Sequence, residues 1–352
     1  MDWVRLPKIE LHAHLSGSIS RQCLHEVWLM KKEAGETDLA DPLIEMPDGK
    51  HDYDLKVSPV ALTSFFPLFS SYIYHLVNDL QALRHTTLSV LQDFARDGVV
   101  YLELRTTPRA LPRSDLSKAG YIAAILDVIR EFESSQDTTT ALHTRLIISV
   151  DRRNTLPEAL EAVDLALAFR DRGVVGVDLC GDPTRGGIEA LQPAFERARA
   201  ETSPGLGVTL HFAEAEASGS DGELLMLLGA WRPDRIGHVI HVSERVKREI
   251  VGYPGGLGLE LCLSCNVNAG MISGGFEAHH FGEWWKVKEC TVVLGTDDVG
   301  VFGSPLSNEY RLVAEHFGLS EPEIRTLARK GIDVIFGGAE EKQRLRAIMD
   351  AA

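Results

Sequence analysis

The sequence predicts an α/β fold in which eight parallel strands close into a (β/α)8 barrel, the TIM barrel. Eight short apolar runs, most of them rich in β-branched residues, alternate with helix-like stretches along the 352-residue chain. Strands that alternate with helical segments are typical of βαβ units and a parallel sheet, and eight such units suit a closed barrel. The runs are Ile9–Leu15, Val99–Arg105, Thr144–Asp151, Val174–Gly181, Val208–Ala213, Arg235–His241, Leu257–Leu263 and Thr291–Thr296.

Distinctive residues lie where these runs end. Catalytic residues of TIM barrels sit at the carboxyl ends of the strands. An open, doubly wound sheet is the alternative fold, but it does not naturally bring the first and eighth strands side by side, as a barrel does. The residues at the run ends are His12, His14, Arg105, Asp151, Gly181, His211, Glu214, His238, Asp297 and Asp298.

The segment between the first two predicted strands is longer than one crossover needs, so we expect a helical insertion over about residues 20–95. Within it, Gly35–Ser58 is polar and contains Pro and Gly, which predicts a loop, whereas Ala61–Ala95 has a helical pattern. The aromatic start of that helix either packs against other helices or covers the barrel mouth as a lid. Leu319–Ala351 predicts two closing helices, and we expect one domain over residues 1–352.

Composition restricts the class of protein. The chain is 44% hydrophobic and 25% charged, as is usual for a globular protein, and its formal net charge is −15. That charge argues against nucleic-acid binding, which usually shows a basic face. We find no signal peptide and no apolar stretch long enough to cross a membrane. Five cysteines in a long chain do not form a disulfide framework, so we expect a reducing, cytoplasmic location.

Metal-ligating residue types recur at three of the predicted strand ends. His12 and His14 point to the same face of the first strand, roughly 6.6–6.8 Å apart along the chain. His211 ends the fifth run, with Glu214 three residues later, and Asp297 ends the eighth. Three neutral imidazoles and one carboxylate make a good catalytic zinc site when a water molecule completes it. The sequence therefore predicts a metal centre at the barrel mouth.

Short segments spread over nearly the whole chain resemble the motif set of the adenosine/AMP deaminase family. They are Leu11–Gly17, His211–Glu214, Arg235–His238 and Gly295–Asp298. The resemblance extends to one branch, the adenosine deaminase-like proteins that act as N6-methyl-AMP deaminases. The segments that carry it are Tyr101–Pro108, Val150–Arg153, Gly181–Pro183, His279–Phe281 and Asp297–Phe302.

This resemblance implies a barrel of the metal-dependent hydrolase type that binds one Zn²⁺ per chain. It also implies hydrolytic deamination at purine C6 of a 5′-mononucleotide, with N6-methyl-AMP giving IMP and methylamine. Glu214 would protonate purine N1, His238 would orient or deprotonate the attacking water, and Asp298 would hydrogen-bond N7. The implied zinc ligands are His12, His14, His211 and Asp297.

The resemblance also implies a set of substrate contacts. Nucleoside-specific relatives carry an aspartate where this chain has Ser16, and a neutral residue there would admit a 5′-phosphate. The branch usually has asparagine at this position, so Ser16 is a departure, as are Cys180 and Cys265. Arg109 is a further candidate phosphate contact. The implied substrate-binding residues are His14, Ser16, Tyr74 or His75, Arg105, Thr106, Thr107, Pro108, Asp151, Gly181 and Asp298.

Several alternatives remain open at this point. The chain could deaminate adenosine or 2′-deoxyadenosine as free nucleosides, or bind purines without catalysis. An amidohydrolase with two metal ions is a third possibility, although Val174–Pro183 contains no lysine that could bridge such a pair. We expect a monomer whose only partner is a small purine nucleotide, with no nucleic acid and no membrane.

Overall fold

A computed structural model describes residues 1–46, 67–136, 140–200 and 205–352. It contains one eight-stranded parallel sheet in which each strand pairs with the next along the chain. The predicted barrel is therefore confirmed. The strands are β1 (Lys8–His14), β2 (Val99–Thr106), β3 (His143–Asp151), β4 (Val174–Cys180), β5 (Gly207–Phe212), β6 (Arg235–His238), β7 (Gly258–Leu261) and β8 (Thr291–Leu294).

The barrel closes where β1 meets the end of β8. The backbone N–H of His14 donates to the carbonyl of Asp297 over 2.9 Å, and the Asp297 N–H donates to the His12 carbonyl over 2.7 Å. The buried carboxyl group of Glu10 accepts the N–H groups of His12 (2.7 Å) and Thr296 (3.0 Å). This seam brings the two ends of the sheet together and places the early histidines beside the late aspartates.

Helices surround the sheet, and most begin at a Ser, Thr or Asp that caps the first turn. Ser320 forms a capping box with Glu323, in agreement with the predicted closing pair of helices. No helix in the described part of the chain is long and apolar enough to span a bilayer. The α-helices are Arg21–Glu33, Pro42–Glu45, Tyr74–Leu76, Leu80–Arg96, Lys118–Ser134, Leu156–Ala168, Gln192–Ala200, Asp221–Met226, Glu244–Val251, Leu263–Asn268, Phe281–Trp284, Val299–Phe302, Leu306–Phe317, Glu321–Val334 and Ala339–Ala351.

The predicted insertion after β1 contains helices, but not the continuous one expected over Ala61–Ala95. A π-helical turn at Phe69–Ile73 leads into a short helix that ends at Leu76, and a new helix begins at Leu80. The break occurs because Asp79 caps the new helix, accepting the N–H of Ala82 over 2.8 Å. The predictions for residues 47–66 lie outside the described residues.

Several strands end before their predicted bounds, and the ends of β6 and β7 show why. After β6, His238 and Val239 have φ values of +64° and +57°, in the left-handed region that a strand cannot continue through. After β7 the chain turns directly into the helix Leu263–Asn268, so Cys265 is helical and does not end a strand. Both departures bring a side chain next to Asp297, because His238 Nε2 lies 3.8 Å from Asp297 Oδ2 and the Cys265 thiol donates to the same oxygen over 2.8 Å.

We expect the free energy of unfolding to depend on pH through the buried residue Glu309. It is fully buried, and its carboxyl oxygens accept the Ser264 N–H (3.1 Å) and the Ser304 hydroxyl (2.5 Å). Burial raises the pKa of Glu309 from 4.5 to about 7. Between about pH 4.5 and about pH 7, the folded state therefore keeps a proton that the unfolded chain has released. The contribution of Glu309 to the free energy of unfolding is fully present below about pH 4.5 and is lost as the pH rises to about 7.

Replacing Glu309 with glutamine should remove this pH dependence. Between pH 5 and 8, wild-type protein should lose up to about 3 kcal/mol of unfolding free energy relative to Glu309→Gln. Urea unfolding of both proteins at several pH values measures the difference. A difference that stays constant over this range would contradict the assignment.

Candidate active site

A cavity lies at the carboxyl ends of the barrel strands, where the sequence placed the site. Residues from the first, second, third, fourth, fifth and eighth strand ends reach it, together with the insertion after β1. It is lined by His14, Leu15, Ser16, Phe69, Ser70, Tyr74, Arg105, Thr106, Thr107, Asp151, Arg153, Cys180, Gly181, His211, Glu214, Asp297 and Asp298.

Four side chains converge on one point in this cavity. The Nε2 atom of His211 lies 3.3 Å from Nε2 of His12 and 3.1 Å from Nε2 of His14. Asp297 Oδ1 lies 3.4 and 3.3 Å from the same two nitrogens. Ligand atoms 2.0–2.1 Å from a tetrahedral metal are roughly 3.3–3.4 Å apart. The four residues therefore have the donor set and the spacing to hold one metal ion.

Two buried carboxylates fix the imidazoles of this cluster. His12 Nδ1 lies 2.8 Å from Glu260 of β7, and His211 Nδ1 lies 3.1 Å from Asp178 of β4. A ring nitrogen that donates to a carboxylate carries the proton, so Nε2 is left bare for a metal. Sequence reasoning missed both acids, although a charged residue inside an apolar barrel strand is a signal that could have found them.

Glu214 and His238 face the same point without being part of the cluster. The Nε2 atom of His238 lies 3.8 Å from Glu214 Oε1 and 3.8 Å from Asp297 Oδ2. It is buried and has no hydrogen-bond partner among the described residues. Burial raises the pKa of Glu214, so this carboxyl group keeps a proton more readily than an exposed one. A proton donor and a free imidazole nitrogen therefore border the space beside the metal cluster.

Asp298 lies on the other side of this space. Burial, and then the neighbouring Asp297 carboxylate, raise the pKa of Asp298 well above its usual value. Its Oδ1 is buried without a partner in the described chain. The backbone of Gly17 approaches so closely that a Cβ there would lie 1.5 Å from Asp298 Oδ1. Only glycine permits this approach, which leaves room for the Asp298 carboxyl group beside the cavity.

The model of the family described as adenosine deaminase matches residues 7–352 of this chain. The chain belongs to the adenosine deaminase family. The N6-mAMP deaminase of Arabidopsis thaliana is 36% identical over 371 residues, covering 100% of this chain and 99% of that protein. Human N6-methyl-AMP deaminase is 34% identical over 349 residues, covering 97% of this chain and 92% of the human protein.

Solved structures similar to this chain have the same fold. Arabidopsis ADAL complexed with IMP matches with a TM-score of 0.87 and 36% identity, covering 100% of this chain and 98% of that one. An adenine deaminase from Arthrobacter aurescens matches with a TM-score of 0.78 at 21% identity, over 98% of each chain. The second match shows the fold alone.

Arg105 borders the cavity, but its side chain is fully buried and paired within the barrel. The guanidinium donates to Asp178 over 3.2 Å, to the Leu11 carbonyl over 2.8 Å, and to Glu260. The substrate contact implied for Arg105 stays a prediction, and these bonds show that the guanidinium also holds the acids that orient His12 and His211.

Tyr74 and His75, the two alternatives in the insertion, lie differently with respect to the cavity. Tyr74 lines the cavity, where it hydrogen-bonds Ser16 and lies 4.6 Å from the Arg109 guanidinium. His75 is exposed and is absent from the lining, because one residue along a helix turns the side chain to another face. Pro108 is also absent from the lining within the described chain.

The remaining predicted contacts sit on the second to fourth strand ends. Thr106 shares a 2.8 Å hydrogen bond with Tyr121, and Thr107 lies 3.7 Å from the Cys180 sulfur. Arg153 donates two hydrogen bonds to the Asp151 carboxylate, from Nε to Oδ1 over 2.8 Å and from Nη2 to Oδ2 over 2.6 Å. Asp151 therefore reaches the cavity already paired, with a guanidinium that sequence reasoning did not include.

Proposed function

We propose that this chain is a zinc-dependent deaminase that hydrolyses N6-methyl-AMP to IMP and methylamine. The observation that carries the proposal is the cluster of three imidazoles and one carboxylate beside Glu214. It occurs in a chain that matches N6-mAMP deaminase of Arabidopsis along its whole length. The IMP complex of the Arabidopsis structure supports a purine nucleotide as the ligand.

The residues present suit one zinc ion. His12, His14, His211 and Asp297 each offer one ligand atom, and these atoms all lie within 4.8 Å of one another. The nitrogen and oxygen donors match the ligands of catalytic zinc. Glu260 and Asp178 orient His12 and His211 through hydrogen bonds to their Nδ1 atoms, as is usual for histidine ligands of a metal. When bound, zinc supplies an activated water for attack at purine C6.

Glu214 supplies the proton that makes the purine ring reactive. Because burial raises its pKa, the carboxyl group can hold a proton and deliver it to N1. Protonation at N1 draws electrons from C6 and favours attack by water there. The C6–N bond then breaks, and methylamine leaves with a proton, so that N6-methyl-AMP and water give IMP and methylamine.

Asp298 and Gly181 orient the purine. N7 and N3 of a purine are acceptors, so each needs a donor from the protein. Burial raises the pKa of Asp298, which favours the protonated carboxyl group that can donate to N7. Gly181, at the end of β4, lines the cavity and offers its backbone N–H to N3. Two donors on opposite edges hold C6 in front of Glu214 and His238.

Ser16 decides between nucleotide and nucleoside in this proposal. It lines the cavity as a neutral residue, and its hydroxyl can donate to a 5′-phosphate. Replacing it with aspartate places a negative charge beside the phosphate. We expect Ser16→Asp to lower kcat/KM for N6-methyl-AMP by about 100-fold, which corresponds to about 3 kcal/mol of lost binding.

The matched control for this prediction is Ser16→Asn, which stays neutral. Steady-state kinetics on N6-methyl-AMP and N6-methyladenosine should show that only the aspartate variant narrows or reverses the preference for nucleotide. Equal losses in the aspartate and asparagine variants would contradict a role for charge at this position.

An absorbance assay on the purified, zinc-loaded protein tests the proposed function directly. It compares N6-methyl-AMP, AMP, N6-methyladenosine and adenosine. The expected result is the highest kcat/KM for N6-methyl-AMP, with about one zinc per chain by metal analysis. Preference for the free nucleosides would favour an adenosine deaminase, absence of turnover would favour a non-catalytic purine-binding protein, and two metal ions would favour a different amidohydrolase.

The cellular setting is part of the proposal. All five cysteines, Cys23, Cys180, Cys262, Cys265 and Cys290, are free and buried. Free thiols support a reducing compartment such as the cytoplasm. We expect a single-domain monomer, which size-exclusion chromatography with light scattering can test.

A further inference from the structure

We infer that His279, acting through Asn266, holds His238 in the tautomer that carries its proton on Nε2. The inference deepens the proposed function, because it assigns His238 as a hydrogen-bond donor toward the attacking oxygen. His279 and Asn266 do not line the cavity. They are positioning residues, and hydrogen bonds connect His279 through Asn266 to His238.

The chain of bonds begins at a backbone amide. The N–H of Phe281 donates to Nδ1 of His279 over 3.0 Å. A backbone N–H can only donate, so Nδ1 of His279 must be bare. His279 is 3% exposed, and burial lowers its pKa well below 6.5, which keeps the ring neutral. A neutral imidazole carries one proton, and here that proton is on Nε2.

The next link is the carboxamide of the fully buried Asn266. Its nitrogen lies 3.0 Å from His279 Nε2, and its oxygen lies 2.9 Å from His238 Nδ1. In that orientation two N–H groups would face each other at His279. A 180° rotation of the carboxamide exchanges its oxygen and nitrogen without changing its shape, and this removes the conflict. The oxygen then accepts from His279, and the nitrogen donates to His238.

This arrangement fixes the proton on His238. Because Asn266 donates to its Nδ1, neutral His238 must carry its proton on Nε2. That nitrogen is the buried one without a partner, 3.8 Å from both Glu214 Oε1 and Asp297 Oδ2. It points toward the space where water attacks C6. A protonated nitrogen orients that oxygen and stabilises negative charge on it, and does not take up its proton.

His280 holds the backbone of the same residue. Its Nε2 donates to the His238 carbonyl over 2.5 Å, and its ring stacks on that of His279 with centroids 4.2 Å apart. His238 needs such support, because its φ of +64° is unfavourable for a residue with a side chain. The neighbouring histidines thus position both the ring and the backbone of His238.

Nitrogen-15 NMR of histidine-labelled, zinc-loaded protein at neutral pH tests the inference without any substrate. Ring nitrogens with and without a proton have different chemical shifts, and loss of signals in His238→Gln identifies those of His238. We expect a bare Nδ1 and a protonated Nε2. The opposite pattern would overturn the inference. Failure of the proposed function would appear separately, as a lack of turnover in the substrate assay.

The substitution Asn266→Asp keeps nearly the same side-chain shape but reverses the direction of the hydrogen bond to His238 Nδ1. A carboxylate only accepts hydrogen bonds, so His238 would have to place a proton on Nδ1. The NMR spectrum should show that change, whereas Asn308→Asp, which adds the same charge on the partly buried helix Leu306–Phe317, should leave the signals of His238 unaltered. An unaltered His238 spectrum in Asn266→Asp would count against the inference.

Replacements of His279 extend the test to kinetics. Leucine removes the donor and frees the Asn266 carboxamide to rotate, so kcat for N6-methyl-AMP should fall about tenfold with little change in KM. Glutamine can still donate and should restore most of kcat. If His279→Leu keeps the wild-type kcat, or if it only raises KM, His279 is a packing residue and has no role in positioning His238.

Discussion

Replacing Glu214 with glutamine should lower kcat for N6-methyl-AMP by about 10³-fold, within the usual range for loss of a general acid. The carboxamide has nearly the same shape and hydrogen-bonding reach, but it holds no proton that it can deliver to N1. Without that proton the purine stays a poor electrophile at C6. Because Glu214 is not one of the four clustered donors, zinc content should stay close to that of the wild type.

The control for this prediction is Glu216→Gln. Glu216 is exposed and lies two residues further along the chain, so its substitution makes the same chemical change outside the cavity. Steady-state kinetics, with metal analysis of each protein, should show normal kcat in Glu216→Gln and the large loss in Glu214→Gln. A loss of less than about tenfold in Glu214→Gln would show that another group protonates N1.

The metal cluster could be predicted from the sequence because its members are chemically distinctive and lie at strand ends. His12 and His14 share one face of a strand, and a closed barrel must bring that strand next to Asp297. The barrel itself follows from the alternation of apolar runs with helical segments. Neither prediction requires knowledge of which side chain bonds to which.

The support beneath the cluster could not be predicted in this way. Asp178, Glu260 and Arg105 lie within or at the end of apolar strands, and their partners come from other strands of the barrel. Sequence shows that a charge is present inside the barrel but not which opposite charge it meets. The same limit applies in the insertion, where the break in the helix before Leu80 depends on a local cap at Asp79.

Replacing Arg105 with methionine should lower the free energy of unfolding by about 3–5 kcal/mol, the usual cost of removing one member of a buried ion pair. The guanidinium is fully buried and donates to both Asp178 and Glu260. Although burial alone would raise it, the pKa of Glu260 is held well below its usual value by Arg105 and Arg235. Methionine fills similar space, but it removes the positive charge of the guanidinium that lies next to the two carboxylates.

Urea unfolding of Arg105→Met measures this loss. The control is Arg96→Met, because Arg96 is mostly exposed, and it pairs at the surface with Asp93 and donates to the Gln92 carbonyl. Its stability should change by less than about 1 kcal/mol. Equal stability of Arg105→Met and wild type would show that Arg235 alone can hold the buried acids in their charged form.

The same substitution should weaken zinc binding, because the charge of the acids sets the tautomer of the ligands. With Arg105 gone, Glu260 and Asp178 take up protons more readily and can then donate to the Nδ1 atoms of His12 and His211. Each imidazole that accepts at Nδ1 carries its proton on Nε2, where a metal cannot bind. Competition with a chelator should show zinc affinity lower by about 10- to 100-fold, the usual cost of disturbing groups behind a metal ligand. Unchanged zinc affinity in a destabilised Arg105→Met would separate the folding role of the network from its effect on the metal.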